Sequence, residues 1–476
     1  MSRGRLAVHG HFYKPDRRDP FSGLLPRDPA AAPYPDWTSR ITAECYAPNA
    51  EHVNFARIGW DLGPALATWL RRERADVHDA IVRQENGLNG LAIGYHHSIL
   101  PLASARDRRT EIRWGIRDFQ LRFGRRPSGL WLPETAVDLL TLRIAYEEGI
   151  RYTILAPWQA GVESVDTRRP YAVGLGGDRR MTVGFYNRPL STAVSFEPDA
   201  TVNADRFARE FVLPRLAGGP PPAVPLALVA TDGELYGHHQ RFRDLFLSRL
   251  TGWKYPGFDV TTLGQFLEEP VQQPGRLPTL TIREQTSWSC HHGLARWSAE
   301  CPCARDGRWK QPLRAALDRL AAAIDTVCQQ EARSLGVELW TARDRWADVA
   351  SEYAAGESVV DSAMAEAADG SPARAGQLAA AGPQRLLLEL LSAQASRLSM
   401  FASDAFFWED PSRPETLQAF RFAAHAVRLV DRAAGVRLEP VFVDDLAAVR
   451  SPLTGADGTE LYRLALATVD QTPPRA

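Results

Sequence analysis

Up to about Arg283, short apolar runs alternate with longer amphipathic stretches. Residues 6–8, 91–93, 130–132, 152–155, 183–185 and 226–230 are short, apolar and mostly flanked by Gly, Pro or polar residues, which predicts buried strands. Residues 49–84, 108–123, 137–148 and 202–216 carry apolar positions at helical spacing. Strands alternating with helices predict parallel βα units, and a chain of this length holds six or seven of them in a closed or nearly closed barrel. Beyond Arg283 the pattern changes. Residues 308–331, 335–355, 383–401 and 414–434 all read as helices, and β-type alternation is scarce. The expected organisation is α/β: a barrel over residues 1–283 followed by an α-helical domain over 284–476. The Ala/Gly-rich stretch 354–382 reads either as a mobile connection or as Ala-rich helix.

Composition narrows the class. With 45% hydrophobic and 24% charged residues, the chain sits near the globular average, which excludes collagen-like and disordered classes. Lys and Arg total 56 against 57 Asp and Glu, so there is no basic excess of the kind nucleic-acid binders carry. No apolar run approaches the roughly 20 residues that span a bilayer. The opening MSRGRLAVHGHF is too short in apolar residues for a signal peptide. Five cysteines argue against a disulfide scaffold. The expectation is a cytoplasmic protein with neither nucleic acid nor membrane as a partner.

The reactive side chains fall just after the apolar runs. His9 and His11 follow the first, His96 and His97 the second, Glu134 the third, and Asp232, Glu234, His238 and His239 the last. In a parallel βα barrel all strands end on one face, and the site is built there. Each such residue alone is no more than the polar start of a loop, a helix-capping acid or an Asx turn. Four strands delivering histidines and carboxylates to one rim point to a site. Two carboxylates from different strands suit glycosidic-bond chemistry, one to attack or stabilise the anomeric carbon and one to give and take a proton. Glu134 lies beside Trp131 and Pro133, and Asp232 begins a Gly-containing turn. His9 and His11, at i and i+2 on a strand, face one way. They either hold a divalent metal or hydrogen-bond to substrate hydroxyls, or form a structural pair.

These segments resemble the signatures of glycoside hydrolase family 57. His9-Gly10-His11-Phe12-Tyr13-Lys14-Pro15 resembles the first, Gly94 to Leu102 the second, Trp131-Leu132-Pro133-Glu134 the third and Asp232 to His238 the fourth. Ser287 to Gly293, ending in Arg296-Trp297, resembles the fifth. The helical half, through Met400 to Asp410 and Gln418 to Leu429, resembles the DUF3536 domain found on one branch of that family. The resemblance implies an incomplete (β/α)7 barrel and a retaining mechanism on α-glucans, by hydrolysis, 4-α-glucan transfer or branching, without a metal or other cofactor. It implies Glu134 as nucleophile and Asp232 as acid/base. His9, His11, His97, Trp131, Glu234, His238, Trp288 and Trp297 would then bind the sugar. One departure stands out. The usual first signature is H-x-H-Q-P, whereas here two extra residues intervene and Lys14 replaces Gln.

Two other readings compete. A metal-dependent deacetylase or mannosidase-like hydrolase would use His9, His11 and Asp232 as ligands. A non-catalytic glucan-binding protein would keep the cleft without turnover. Separately, Cys290, His291, His292, Cys301 and Cys303 crowd one short stretch. Thiolates and imidazoles at that density suit zinc, but the paired C-x-x-C spacing is missing, so reduced, partly buried cysteines are the first expectation there and a structural metal the second.

Overall fold

The computed structural model describes residues 3–217, 222–269, 274–368, 371, 374, 377–378 and 381–467. Strand β1 (Gly4–Phe12) is buried along almost its whole length. It has β2 (Gly59–Leu62) against its end, β9 (Phe258–Thr261) against its start and β8 (Leu226–Asp232) along its other edge, all parallel. The sheet continues from β2 to β3 (Gly90–Ile93) and β4 (Leu130–Trp131). A single parallel bridge, Gly129 to Tyr152, carries it on to β5 (Tyr152–Leu155), which pairs with β7 (Arg180–Phe185). Beyond β7, the Asn187 N–H donates to Leu228 O of β8 at 2.7 Å. The strands thus run round as β8-β1-β2-β3-β4-β5-β7, an incomplete barrel of seven parallel strands, as expected. Strand β6 (Tyr171–Gly174) lies antiparallel on β7, and β10 (Thr279–Leu280) extends it.

Side-chain alternation decides which residues reach the interior. Leu6, Val8, Phe12, Trp60, Leu62, Ala227 and Val229 join one core cluster with the surrounding helices. Ala7, Leu91, Ile93, Trp131, Leu226, Leu228 and Ala230 form the inner cluster. The period of two therefore carries His9 and His11 inward on β1, Asp61 on β2 and Asp232 on β8.

Helical periodicity over residues 49–84 conceals β2. The stretch divides into a helix ending at Glu51, the strand, and the helices Pro64–Glu73 and Ala75–Gln84. Residues 335–355 likewise form two short helices, Leu339–Arg345 and Ala347–Ala350. Within the Ala/Gly-rich stretch, Gly356–Ala367 is a helix, while residues 369–370, 372–373, 375–376 and 379–380 lie outside the described residues.

A second compact unit is helical and draws in segments 15–26 and 96–118 as well as the C-terminal helices. Lys310–Ser334, Ala381–Ser399 and Pro414–Ala434 are its long helices. Two buried arginines of this unit are paired with carboxylates. Arg343, fully buried, donates to Asp107 at 2.9 Å, and Arg397 donates to Asp107 at 2.7 Å and to Asp325 at 3.0 Å. Buried charges persist only when paired in this way.

Candidate active site

The register of β1 with its neighbours sets the site. His11 lies opposite Asp61 on one side and Asp232 on the other. Asp61 is completely buried and accepts from both histidines, from His9 Nε2 at 2.9 Å and from His11 Nδ1 at 2.7 Å. Trp131 backs the pair, stacked on His9 at 4.8 Å and on His11 at 5.1 Å between ring centroids. Burial would depress His11, but the Asp61 carboxylate, with Asp232 and Glu234 adding to it, pushes it up to about 9. Burial wins at His9, which is lowered despite Asp61. Burial also acts against the Asp61 anion, yet the two histidines hold its pKa below the ordinary value. Near neutrality the trio is therefore a neutral His9, a carboxylate and an imidazolium at His11. The ring nitrogens facing Asp61 are then proton donors to its carboxylate.

Glu134 stands at the end of β4 in a turn with φ 57° and ψ 19°, and Thr135 follows at φ 47°. Left-handed backbone at two successive non-glycine residues costs about 1–3 kcal/mol each, so something must hold it. Buried Gln159 does so, accepting from Thr135 Oγ1 at 2.9 Å and donating to Thr135 O at 2.8 Å. The turn presents the Glu134 carboxylate to two donors on one oxygen, Ser289 Oγ at 2.5 Å and Trp288 Nε1 at 3.2 Å. Surrounding protein raises the Glu134 pKa, and the Asp232 charge adds to this, while Ser289, His11 and Trp288 oppose it.

Asp232 ends β8 and remains open to solvent. The protein crowded around it raises its pKa, the His11 imidazolium opposes, and Glu234 and Asp61 reinforce, leaving it at about 6. Next to it, a Cβ on Gly233 would lie 2.4 Å from the Phe12 ring, so only glycine lets the turn pack this closely. Glu234 is buried and accepts from Tyr46 OH at 2.5 Å. Burial raises its pKa, and the charge of Lys14 opposes that shift. His238 Nδ1 donates to Glu44 at 2.5 Å.

Seven of the expected residues thus come together: His9, His11, Glu134, Asp232, Glu234, His238 and Trp288. Three do not fill the role expected of them. Trp131 is fully buried beneath the imidazoles, so it supports them and offers no face to a sugar. Trp297 is fully buried in the helical unit beside Phe407. His97 is buried, with Nδ1 2.7 Å from Ser403 Oγ in that same unit. Sequence reasoning passed over two residues. Asp61 sits in β2, hidden by helical periodicity. Trp158, half-buried after β5, lies edge-on to Tyr186 at 5.9 Å, and Tyr186 is edge-on to Trp288 at 6.5 Å. Residues 152–155 already read as a strand, so the rule that chemistry follows strand ends reaches Trp158.

Comparison with known proteins agrees with this architecture. Residues 63–252 match the family profile described as Glycosyl hydrolase family 57, and residues 306–473 match Domain of unknown function (DUF3536). Alpha-amylase 1 of Dictyoglomus thermophilum is 22% identical over 242 residues, covering 47% of this chain and 33% of that protein. The chain thus spans about a third of the length of that curated relative. An exo-type maltose-forming amylase from Pyrococcus sp. ST04 superposes with a TM-score of 0.73 at 15% identity, over 97% of this chain and 88% of the other. A branching enzyme from Pyrococcus horikoshii gives a TM-score of 0.60 at 16% identity, over 99% and 98%. At such identities the likeness is one of fold. Among the described residues, no helix is long and apolar enough to cross a membrane.

Proposed function

We propose, from the matches of residues 63–252 to the glycosyl hydrolase family 57 profile and of 306–473 to DUF3536, that this chain is a family 57 retaining enzyme acting on α-linked glucans. One observation carries the reading: the unlike settings of two carboxyls at the ends of β4 and β8. Glu134 has two donors on one oxygen, which favour its anion against the burial that raises its pKa. Asp232 has a pKa of about 6 and keeps a proton into the mildly acidic range. This is the division of labour that a retaining glycosidase needs.

In the first step Glu134 attacks the anomeric carbon as the glycosidic C–O bond breaks, and the Asp232 proton passes to the leaving oxygen. In the second, Asp232 takes a proton from water or from an acceptor hydroxyl, whose oxygen displaces Glu134. The His11 imidazolium beside Asp232 eases the return of that carboxyl to its anion. Trp288 and Trp158 offer aromatic faces for sugar rings, and Glu234 and His238 offer polar contacts to hydroxyls. Hydrolysis, transfer and branching share these steps and differ in the acceptor.

The direct test is mass spectrometry after incubation with a 5-fluoro-α-glucosyl fluoride, which slows breakdown of a glycosyl-enzyme. The expected result is a hexose-sized adduct on the peptide containing Glu134. No adduct, together with maltooligosaccharides bound but never cleaved, would replace this reading with that of a glucan-binding protein.

The pH profile gives a second expectation. Asp232 must be protonated for the first step, so kcat/KM on an unactivated maltooligosaccharide should fall about tenfold per pH unit above about 6. With an α-glucosyl fluoride, whose leaving group needs no proton, that alkaline limb should flatten. An alkaline limb equally steep on both substrates would remove Asp232 from the acid role.

A further inference from the structure

The barrel chemistry leaves one dense cluster of reactive side chains unused. In the stretch following Ser289, the ligand-type atoms of Cys290, His292, Cys301 and Cys303 all lie within 4.8 Å of one another. His292 Nδ1 is 3.6 Å from Cys301 Sγ, and Cys301 Sγ is 2.9 Å from Cys303 Sγ. Zinc–ligand bonds of about 2.0–2.3 Å put neighbouring donors of a tetrahedral site about 3.5–3.8 Å apart. The cluster is within an ångström of that spacing. The sulfurs of Cys301 and Cys303 are well outside the roughly 2.05 Å of a disulfide bond.

We propose that Cys290, His292, Cys301 and Cys303 form a structural Cys3His site for one zinc ion. In sequence the donors come as two i, i+2 pairs, Cys290/His292 and Cys301/Cys303, so the C-x-x-C spacing expected of zinc sites is not needed: folding of the intervening chain brings the pairs together. Cys290 and Cys301 are buried while His292 and Cys303 are exposed, which gives the ion a protected half and an entry side. On binding, three thiols give up their protons to solvent and the neutral imidazole supplies its lone pair. Three thiolates and Zn2+ leave one net negative charge. The Arg296 guanidinium, with Nη1 3.7 Å from Cys303 Sγ, sits where it offsets that charge. Four protein ligands leave no open position, so the ion is structural and takes no part in bond cleavage.

Its position in the chain gives the site a purpose. Trp288 and Ser289, the two donors to Glu134, immediately precede Cys290. Closing a metal ring from Cys290 onward restrains the loop that carries them, so the site positions residues around the carboxylate without touching substrate.

Metal analysis of the purified full-length chain tests this without reference to any glucan activity. About one zinc per chain is expected in the wild type, as for a four-ligand structural site. The Cys301→Ser/Cys303→Ser variant should lose at least about nine-tenths of it. Cys328→Ser, at a buried cysteine far along the chain, should keep it. Should the double variant not fold, the wild type decides the matter. A mercurial reagent should release one equivalent of zinc to a chromogenic chelator, and growth with cobalt should yield thiolate-to-cobalt charge-transfer absorption with tetrahedral visible bands. Wild-type protein from zinc-supplemented medium that is metal-free and gives no such cobalt spectrum overturns the proposal. So does a Cys301–Cys303 disulfide found in freshly purified protein.

Discussion

Replacing Glu134 with Gln is expected to lower kcat/KM on a maltooligosaccharide by about 10⁴-fold or more, in the range of nucleophile removals elsewhere, while leaving the protein folded. The side chain keeps its shape, and its carbonyl oxygen still accepts from Ser289 and Trp288. What is lost is the anion that attacks carbon. The shorter variants separate the two carboxyls by stereochemistry. In Glu134→Ala, azide can enter the vacated space and displace the leaving group once, giving a β-glycosyl azide from an activated α-glucoside. In Asp232→Ala, the glycosyl-enzyme still forms, and azide attacking it restores the α configuration. Anomeric analysis of the azide products by NMR checks the pair. An α-azide from Glu134→Ala, or a rate loss smaller than about tenfold in Glu134→Gln, would refute the assignment.

The second large effect is expected at Asp61, a residue that touches no substrate. Asp61→Asn keeps the volume but removes the charge between two buried histidines. Breaking a buried charged pair from one side costs about 3–5 kcal/mol, so the melting temperature should drop by several degrees. The pH dependence carries the diagnostic. His11 has a folded pKa raised to about 9, so its contribution is complete below its unfolded value near 6.5 and is lost as pH rises toward 9. Asp61 is lowered, so its contribution is present above its ordinary carboxylate value and is lost as pH falls below that through its lower folded pKa. The stability gap between wild type and variant should be widest from about pH 4 to 6.5 and narrow on either side. Activity should fall as well, by about 10²-fold or more, because His11 loses its charge beside Asp232. Thermal melts across pH, read against NMR titration of His11 in the two proteins, provide the check. A gap that does not vary with pH would mean that Asp61 acts by packing alone.

The sequence by itself determined the architecture. Apolar runs alternating with helical periodicity mark βα units because strands covered on both faces must be apolar throughout, and each of the six runs read as strands is one. It also determined where the reactive side chains would gather, since in a parallel barrel every strand end opens on the same rim. Glu134 and Asp232 were legible for that reason. The tertiary structure alone decided how those groups behave. Asp61 follows Trp60 in a four-residue strand too short to interrupt the helical pattern around it, and its meaning comes from register with His11 across a different strand. Trp131 reads as a sugar platform from its place beside Glu134, yet inner-face packing puts it under the imidazoles. The donors of the proposed zinc site look poorly spaced along the chain because spacing counts residues, whereas folding sets the distances between them. Pattern records which face a residue takes within its own element. Protonation state, support and ligand geometry depend on what other elements bring to that face, and only the folded chain supplies those neighbours.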